Sequence, residues 1–310
     1  MSTSHEAGIT RALLSLDGLS VGDALGQLMS TCSRSARRII EQGGLPGPYW
    51  WHTDDTQMAM AIVEELAEGL KISGDSLAKR FLNRYLADPG RGYGKGVRLQ
   101  MEQIADGASW EKASTQAFGG RGSKGNGSAM RAGPLGAFFA GDPEKLIAES
   151  TRSAIVTHCH PEGIAGSVAV SLAAAEAWIS RHLSVTEARI CIWKAVLAGT
   201  PQGGTFDGIQ KASLVPASMD PEITARLLGS GFLVTAPDTV PFALWCAIRH
   251  LDNFQEAMIA TLEGDGDCDT NCAIVGSIVA LFTGRDAIPP LWLKSREPLD
   301  LDISNRRAEP

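Results

Sequence analysis

Residues 161–180 read PEGIAGSVAVSLAAAEAWIS, and this stretch decides the fold class. Apolar residues recur three and four apart along it, and Pro161 suits the first turn of a helix. Ser167, Ser171 and Glu176 interrupt what would otherwise suit a bilayer, so the segment reads as a buried helix and not as a membrane span. The same period runs through 12–29, 56–70, 76–87, 128–140, 144–157 and 186–197, and continues through 221–228, 239–250, 253–262 and 270–282. Pro221 suits another first turn, and Ser76 or Asp75 an N-cap. Period-two alternation is confined to 231–235. The expectation is an all-α, single compact domain of roughly a dozen helices joined by Gly-rich loops. It would span 1–310, with a core over about 12–293 and a charged, loose tail at 295–310.

The 310 residues exceed the usual size of one domain, yet 44% hydrophobic content supplies a sizeable core. A net charge of -7 and the lack of any Lys/Arg run argue against a nucleic-acid partner. Arg34, Arg37 and Arg38 read as one solvated helix edge. Cys32, Cys159, Cys191, Cys246, Cys268 and Cys272 lack zinc-finger spacing and read as reduced thiols. The opening MSTSHEAGITR holds no apolar signal core. Cytoplasmic location without a membrane partner follows as the expectation.

Two acidic clusters stand directly ahead of apolar helices: His52-Thr53-Asp54-Asp55-Thr56 and Asp265-Gly266-Asp267-Cys268-Asp269-Thr270. Either alone would be explained by helix capping. Capping needs one carboxylate, though, and several side by side repel one another. Hard oxygen donors at this density suit Mg²⁺, Mn²⁺ or Ca²⁺. An EF-hand fails, because its twelfth position falls on Gly276 or Ile278, depending on the start, where a glutamate is required. A binuclear site, half from each cluster, remains. Two Gly-rich stretches accompany it, DPGRGYGKG at 88–96 and GGRGSKGNGSAMRAGPLG at 119–136. Neither spacing nor context in the second fits a Walker loop or a dinucleotide fingerprint. Glycines of this density suit close approach of backbone to a ligand.

Gly22-Asp23-Ala24-Leu25-Gly26, Thr53 to Thr56, Asn126-Gly127-Ser128-Ala129-Met130-Arg131, Thr157-His158 and Asp267 to Thr270 occur in an order that resembles the ADP-ribosylglycohydrolase family. The resemblance runs from about Leu13 to Trp292. It implies an orthogonal all-α domain carrying two Mg²⁺ or Mn²⁺ ions at the base of a cleft. The implied activity is hydrolysis of the bond joining ADP-ribose to a protein side chain or small acceptor, with ADP-ribose as product. Thr53, Asp54, Asp55, Asp267, Asp269 and Thr270 would ligate metal, and Asp55 or Asp269 would serve a water as base. The loop with Asn126, Gly127, Ser128, Met130 and Arg131 would hold the diphosphate and distal part of ADP-ribose. Arg91-Gly92-Tyr93-Gly94 resembles a further ligand-contacting loop, whose Tyr93 ring could pack on a ribose or base, and His158 matches a histidine near the nucleotide. Asp23 is either a hydrogen-bonding support of the site or a turn cap.

The chain departs from the family pattern in two places. Residues 27–32, QLMSTC, lack the glutamate that family members often carry shortly after this stretch, and Glu41 is the next acid. Asp265 and Cys268 replace a glycine and a threonine. A catalytically silent ADP-ribose-binding protein, or a hydrolase of another nucleoside or phosphoribosyl compound, are the alternatives on this scaffold.

Overall fold

The computed structural model describes residues 3–303. Sixteen α-helices and no named strand occur among the described residues. They are α1 (Thr3–Met29), α2 (Ala36–Glu41), α3 (Asp54–Glu68), α4 (Gly74–Ala87), α5 (Lys95–Ala105), α6 (Trp110–Gly120), α7 (Gly133–Phe138) and α8 (Pro143–Ile155). The second half holds α9 (Pro161–Ile179), α10 (Val185–Gly199), α11 (Gly204–Leu214), α12 (Pro221–Leu228), α13 (Ala236–Arg249), α14 (Phe254–Glu263), α15 (Cys268–Thr283) and α16 (Pro290–Ser295).

Helix α9 lies at the centre, against α7, α8, α10, α13 and α15. With the turn that follows, through His182, it is long enough for a membrane span, and an 18-residue window reaches a mean hydropathy of 1.4 despite Ser167, Ser171 and Glu176; 78% of that window is buried inside the protein, as the reading of a buried helix expects. It is a core helix, apolar all round because neighbours cover every face. The closest pairing is α1 on α15. Gly18, Gly22 and Gly26 recur every fourth residue on α1, so they share one face. A Cβ added at these positions would lie 2.2, 2.1 and 2.3 Å from the carbonyl oxygens of Gly276, Cys272 and Cys268. The two backbones touch, and the contact carries the start of α15 to within reach of α3.

Several expectations are corrected. The stretch 128–140 is not one helix: a 3-10 turn, Asn126–Ser128, precedes the short α7. Helices α2, α5, α6, α11 and α16 were not expected. The cap of α4 is Ser73, which accepts from the Ser76 N–H, rather than Ser76 or Asp75. Residues 231–235 form a loop, with Gly231 and Val234 at φ 93 and 52 and only an isolated bridge from Thr235 to Gly125. Arg37 is no solvated edge but pairs with Glu256 and Glu263 at 2.6 and 2.8 Å. The expected loose tail is docked as far as it is described. Trp50 N–H donates to Ser295 O, Glu297 binds Arg91, and Asp302 N–H donates to Glu64. Residues 304–310 lie outside the described residues.

Candidate active site

The acid cluster is assembled by two helix starts. Thr53 caps α3, accepting from Asp55 N–H, so Asp54 and Asp55 fall in the first turn. Asp267 and Asp269 bracket the start of α15. Behind them stands Asp23 of α1, fully buried. Its carboxylate accepts from Thr53 N–H at 2.9 Å, Thr53 Oγ1 at 2.9 Å, Thr56 N–H at 3.0 Å and Thr56 Oγ1 at 2.5 Å. Asp23 thus holds the first turn of α3 from behind, which makes it a support of the site and not a turn cap. The Arg91 carbonyl adds a bond from Asp54 N–H at 2.7 Å. Gly92, at φ 93, lets that loop pass where a Cβ would stand 3.3 Å from Asp54 Oδ1.

Asp54, Asp55, Asp267, Asp269 and Thr270 line a cleft of about 610 Å³. One wall is the 92–97 segment, the other Ser123 to Gly127 with Met130 and His158, and the rim carries Phe118, Leu233 and Val234. Asn126 ties wall to floor, donating through Nδ2 to Asp267 Oδ2 at 2.6 Å and Thr239 Oγ1 at 3.0 Å. Phe118 and Val234 both occupy the left-handed region, at φ 53 and 52. That conformation is unfavourable for side chains of this shape, and such strain gathers at ligand-binding sites. Lys95, Arg121 and Lys124 line the same cleft, three cations above an acidic floor.

Burial and mutual repulsion act on the floor together. Asp23 is pushed up to about 7, by burial first and then by Asp269. Burial with Asp23 and Asp269 raises Asp54 to about 8, and burial with Asp269 raises Asp267 to about 8. Asp55 stands well above the usual carboxylate range for the same causes, and its buried Oδ1 has no hydrogen-bond partner. Carboxylates so crowded take up either protons or cations. Hard oxygen donors with an unpartnered buried oxygen fit Mg²⁺ or Mn²⁺. Among the described residues no three His, Cys, Asp or Glu side chains converge on one point as a closed cage would.

Of the residues singled out by sequence, Asp54, Asp55, Gly94, Asn126, Gly127, Met130, His158, Asp267, Asp269 and Thr270 meet in the cleft. Four do not line it. Arg131, expected at the diphosphate, is fully buried below the floor, its guanidinium 4.5 Å over the Phe81 ring and donating to Ser153 O and Thr157 Oγ1. Its side chain leaves the loop on the core side. Ser128 donates to Gly163 O at 2.8 Å. Tyr93 is buried, its ring packed T-shaped with that of Tyr85 at 5.2 Å, and it does not line the cleft. Thr53 lines a shallower depression of about 290 Å³ beside Trp51 and Gln27, with its hydroxyl held between Asp23 and Asp55. Asp265, the first of the alternate aspartates, turns away to Ser33 Oγ and Arg34. Glu41 pairs with Arg37 and takes no part in the cleft. Sequence reading missed Phe118, Lys95, Arg121, Lys124, Leu233 and Val234. The glycines flanking the first four were the available signal.

The profile of the ADP-ribosylglycohydrolase family matches residues 4–307. The chain is similar to ADP-ribosylhydrolase ARH3 of Homo sapiens, 28% identical over 91% of this chain and 88% of that one. It also resembles the ADP-ribosylarginine hydrolase Tri1 of Serratia proteamaculans, 25% identical over 92% of this chain and 75% of the relative. A solved structure described as an ADP-ribosylglycohydrolase-related protein complex superposes with a TM-score of 0.68 at 23% identity, covering 94% of each chain, which shows the shared fold. By profile, fold and the order of its motifs, the chain belongs to the ADP-ribosylglycohydrolase family and is a glycosidic-bond hydrolase.

Proposed function

We propose that this protein is a divalent-cation-dependent hydrolase that removes ADP-ribose from a modified protein side chain or a small acceptor. The observation that carries this reading is one cleft with an acidic floor from two helix starts, a glycine-rich wall and a cationic mouth. The names of the relatives, an ADP-ribosylhydrolase and an ADP-ribosylarginine hydrolase, support the same substrate class.

Asp54 and Asp55 would hold cations from one side, and Asp267, Asp269 and Thr270 from the other. When bound, two Mg²⁺ or Mn²⁺ ions supply Lewis acidity toward ribose hydroxyls and lower the pKa of a water. Thr53 and Asp23 hold the α3 turn that presents the first pair. Asp55, with an unengaged carboxylate oxygen, or Asp269 would orient a water and take its proton. Lys95, Arg121 and Lys124 give a chain of net charge -7 a local positive field toward the diphosphate. Gly125 and Gly127 let the wall's backbone approach it closely. We place the protein in the cytoplasm, in line with its six free cysteines.

The test is release of ADP-ribose from arginine-modified and from serine-modified protein, with Mg²⁺ and then with EDTA. Release that EDTA abolishes, and that Asp54→Ala or Asp269→Ala also removes, is the expected result and identifies the acceptor. ADP-ribose binding without release from either substrate would count against the enzyme reading and favour a silent ADP-ribose-binding scaffold.

A further inference from the structure

His158 is 3% exposed and lines the cleft with its ring against the glycine wall: a Cβ at Gly125 or Gly127 would stand 3.1 or 3.0 Å from Nε2. Its other nitrogen, Nδ1, lies 2.7 Å from Thr157 Oγ1, and both atoms are deep in the core. Which of the two carries the bridging proton is settled one residue further in. Arg131 Nη2 reaches the same hydroxyl at 2.9 Å. A guanidinium only donates, so Thr157 Oγ1 accepts there. The hydroxyl's own proton then has one acceptor within reach, His158 Nδ1. A proton on Nδ1 instead would strand the buried Thr157 hydroxyl hydrogen. Nδ1 is therefore bare and Nε2 carries the hydrogen. Burial, with Arg131 near, also holds the imidazole neutral, pushed down to about 3.

We propose that Arg131 and Thr157 are positioning residues that lock His158 as the Nε2–H tautomer, so that the glycine wall presents a neutral, fixed donor to a phosphate or hydroxyl oxygen of the bound nucleotide. The choice of ligand rests on the ADP-ribose reading above, while the tautomer does not. Arg131, which its loop motif had suggested as a direct contact, acts on the ligand through two side chains. The buried arginine sets the direction of a hydrogen bond it never makes.

Nitrogen-15 imidazole NMR on the full-length protein, without ligand, decides the tautomer. The His158 signals, assigned by their loss in His158→Gln, are expected to show a protonated Nε2 and a bare Nδ1. A proton on Nδ1 in the wild type overturns the proposal, and this holds even where a variant fails to fold. Thr157→Val should give a mixture of tautomers and about 10-fold weaker ADP-ribose binding by calorimetry. Thr157→Ser should restore both. Wild-type spectrum and affinity in Thr157→Val would also overturn it. Wild-type protein that binds no ADP-ribose would defeat the substrate reading, with the NMR result still deciding the tautomer.

Discussion

The contact of α1 with α15 makes a sharp forecast for Gly26→Ala. The added Cβ would stand 2.3 Å from the Cys268 carbonyl oxygen and 2.6 Å from Asp269 Cα, where ordinary contact begins at 3.4 Å. Both partners are helix backbone and cannot rotate aside as a side chain would. The start of α15 must therefore retreat by about 1 Å in an interior too dense to absorb it elsewhere. Overpacking of this kind costs about 1–3 kcal/mol, which lowers the melting temperature by several degrees in a protein of this size. The retreat carries Asp267 and Asp269 away from Asp54 and Asp55, so Mn²⁺ affinity should fall about 10–100-fold. Gly18→Ala is the control. Its Cβ would stand 2.2 Å from Gly276 O at the same interface but two turns from the cluster. It should cost similar stability and leave Mn²⁺ affinity unchanged. Calorimetric titration with Mn²⁺ and thermal melts of both variants make the comparison. A Gly26→Ala protein that binds Mn²⁺ like the wild type, or a Gly18→Ala protein that loses as much affinity, would refute the claim that this contact positions the floor.

Asp23→Ala strands three buried donors, Thr53 N–H, Thr56 N–H and Thr56 Oγ1, at about 1–3 kcal/mol each before relaxation, while Thr53 Oγ1 keeps Asp55 Oδ2 as acceptor. It should lower the melting temperature more than Asp23→Asn and weaken Mn²⁺ binding; unchanged melting in both variants would remove Asp23 from its supporting role. In EDTA, stability should fall as pH rises from 6.5 to 8. A carboxylate whose folded pKa is raised contributes stability that is complete below its ordinary value near 4 and is lost as pH climbs through about 8. With protons shared across the cluster the loss is on the order of 2 kcal/mol. Melts at the two pH values, with and without Mg²⁺, check this, and a flat metal-free profile contradicts it. Glu297→Ala removes the acceptor of Arg91 Nη1 and Nη2, at 2.5 and 2.8 Å, and should cost about 1–3 kcal/mol. Hydrogen exchange should rise at Asp54 N–H, which the Arg91 carbonyl holds; unaltered protection there would show the tail anchor to be separate from the site.

Much of the helical frame could be read from periodicity. Residues 161–179 and 221–228 are apolar at helical spacing with proline at the start, and α9 and α12 begin at those prolines. Helix α5 does carry the helical spacing, with Val97, Met101 and Ile104 four and three apart in KGVRLQMEQIA, but it grows out of the glycine-rich 88–96 stretch that reads as loop; α11, GTFDGIQKASL, holds two glycines, and packing secures it as a helix. The run at 231–235 looked like a strand because alternation over five residues does not distinguish a strand from a loop whose backbone turns at Gly231 and Val234.

The sequence by itself determined that the protein is helical, that two acidic turns open two of its helices, and that glycine-rich segments accompany them. These are local properties, written in spacing and residue type within a few turns of chain. Tertiary structure decided everything that depends on direction. Asp267 and Asp269 face the cleft while Asp265 leaves for Ser33. Tyr93 and Arg131 turn into the core, and residues 295–303 dock rather than hang free. Asp23, Thr53 and Thr56, thirty residues apart, become one hydrogen-bonded unit. A motif specifies which groups are available; only the packing of helix on helix, set at α1 and α15 by glycines that let backbones touch, decides which way each group points.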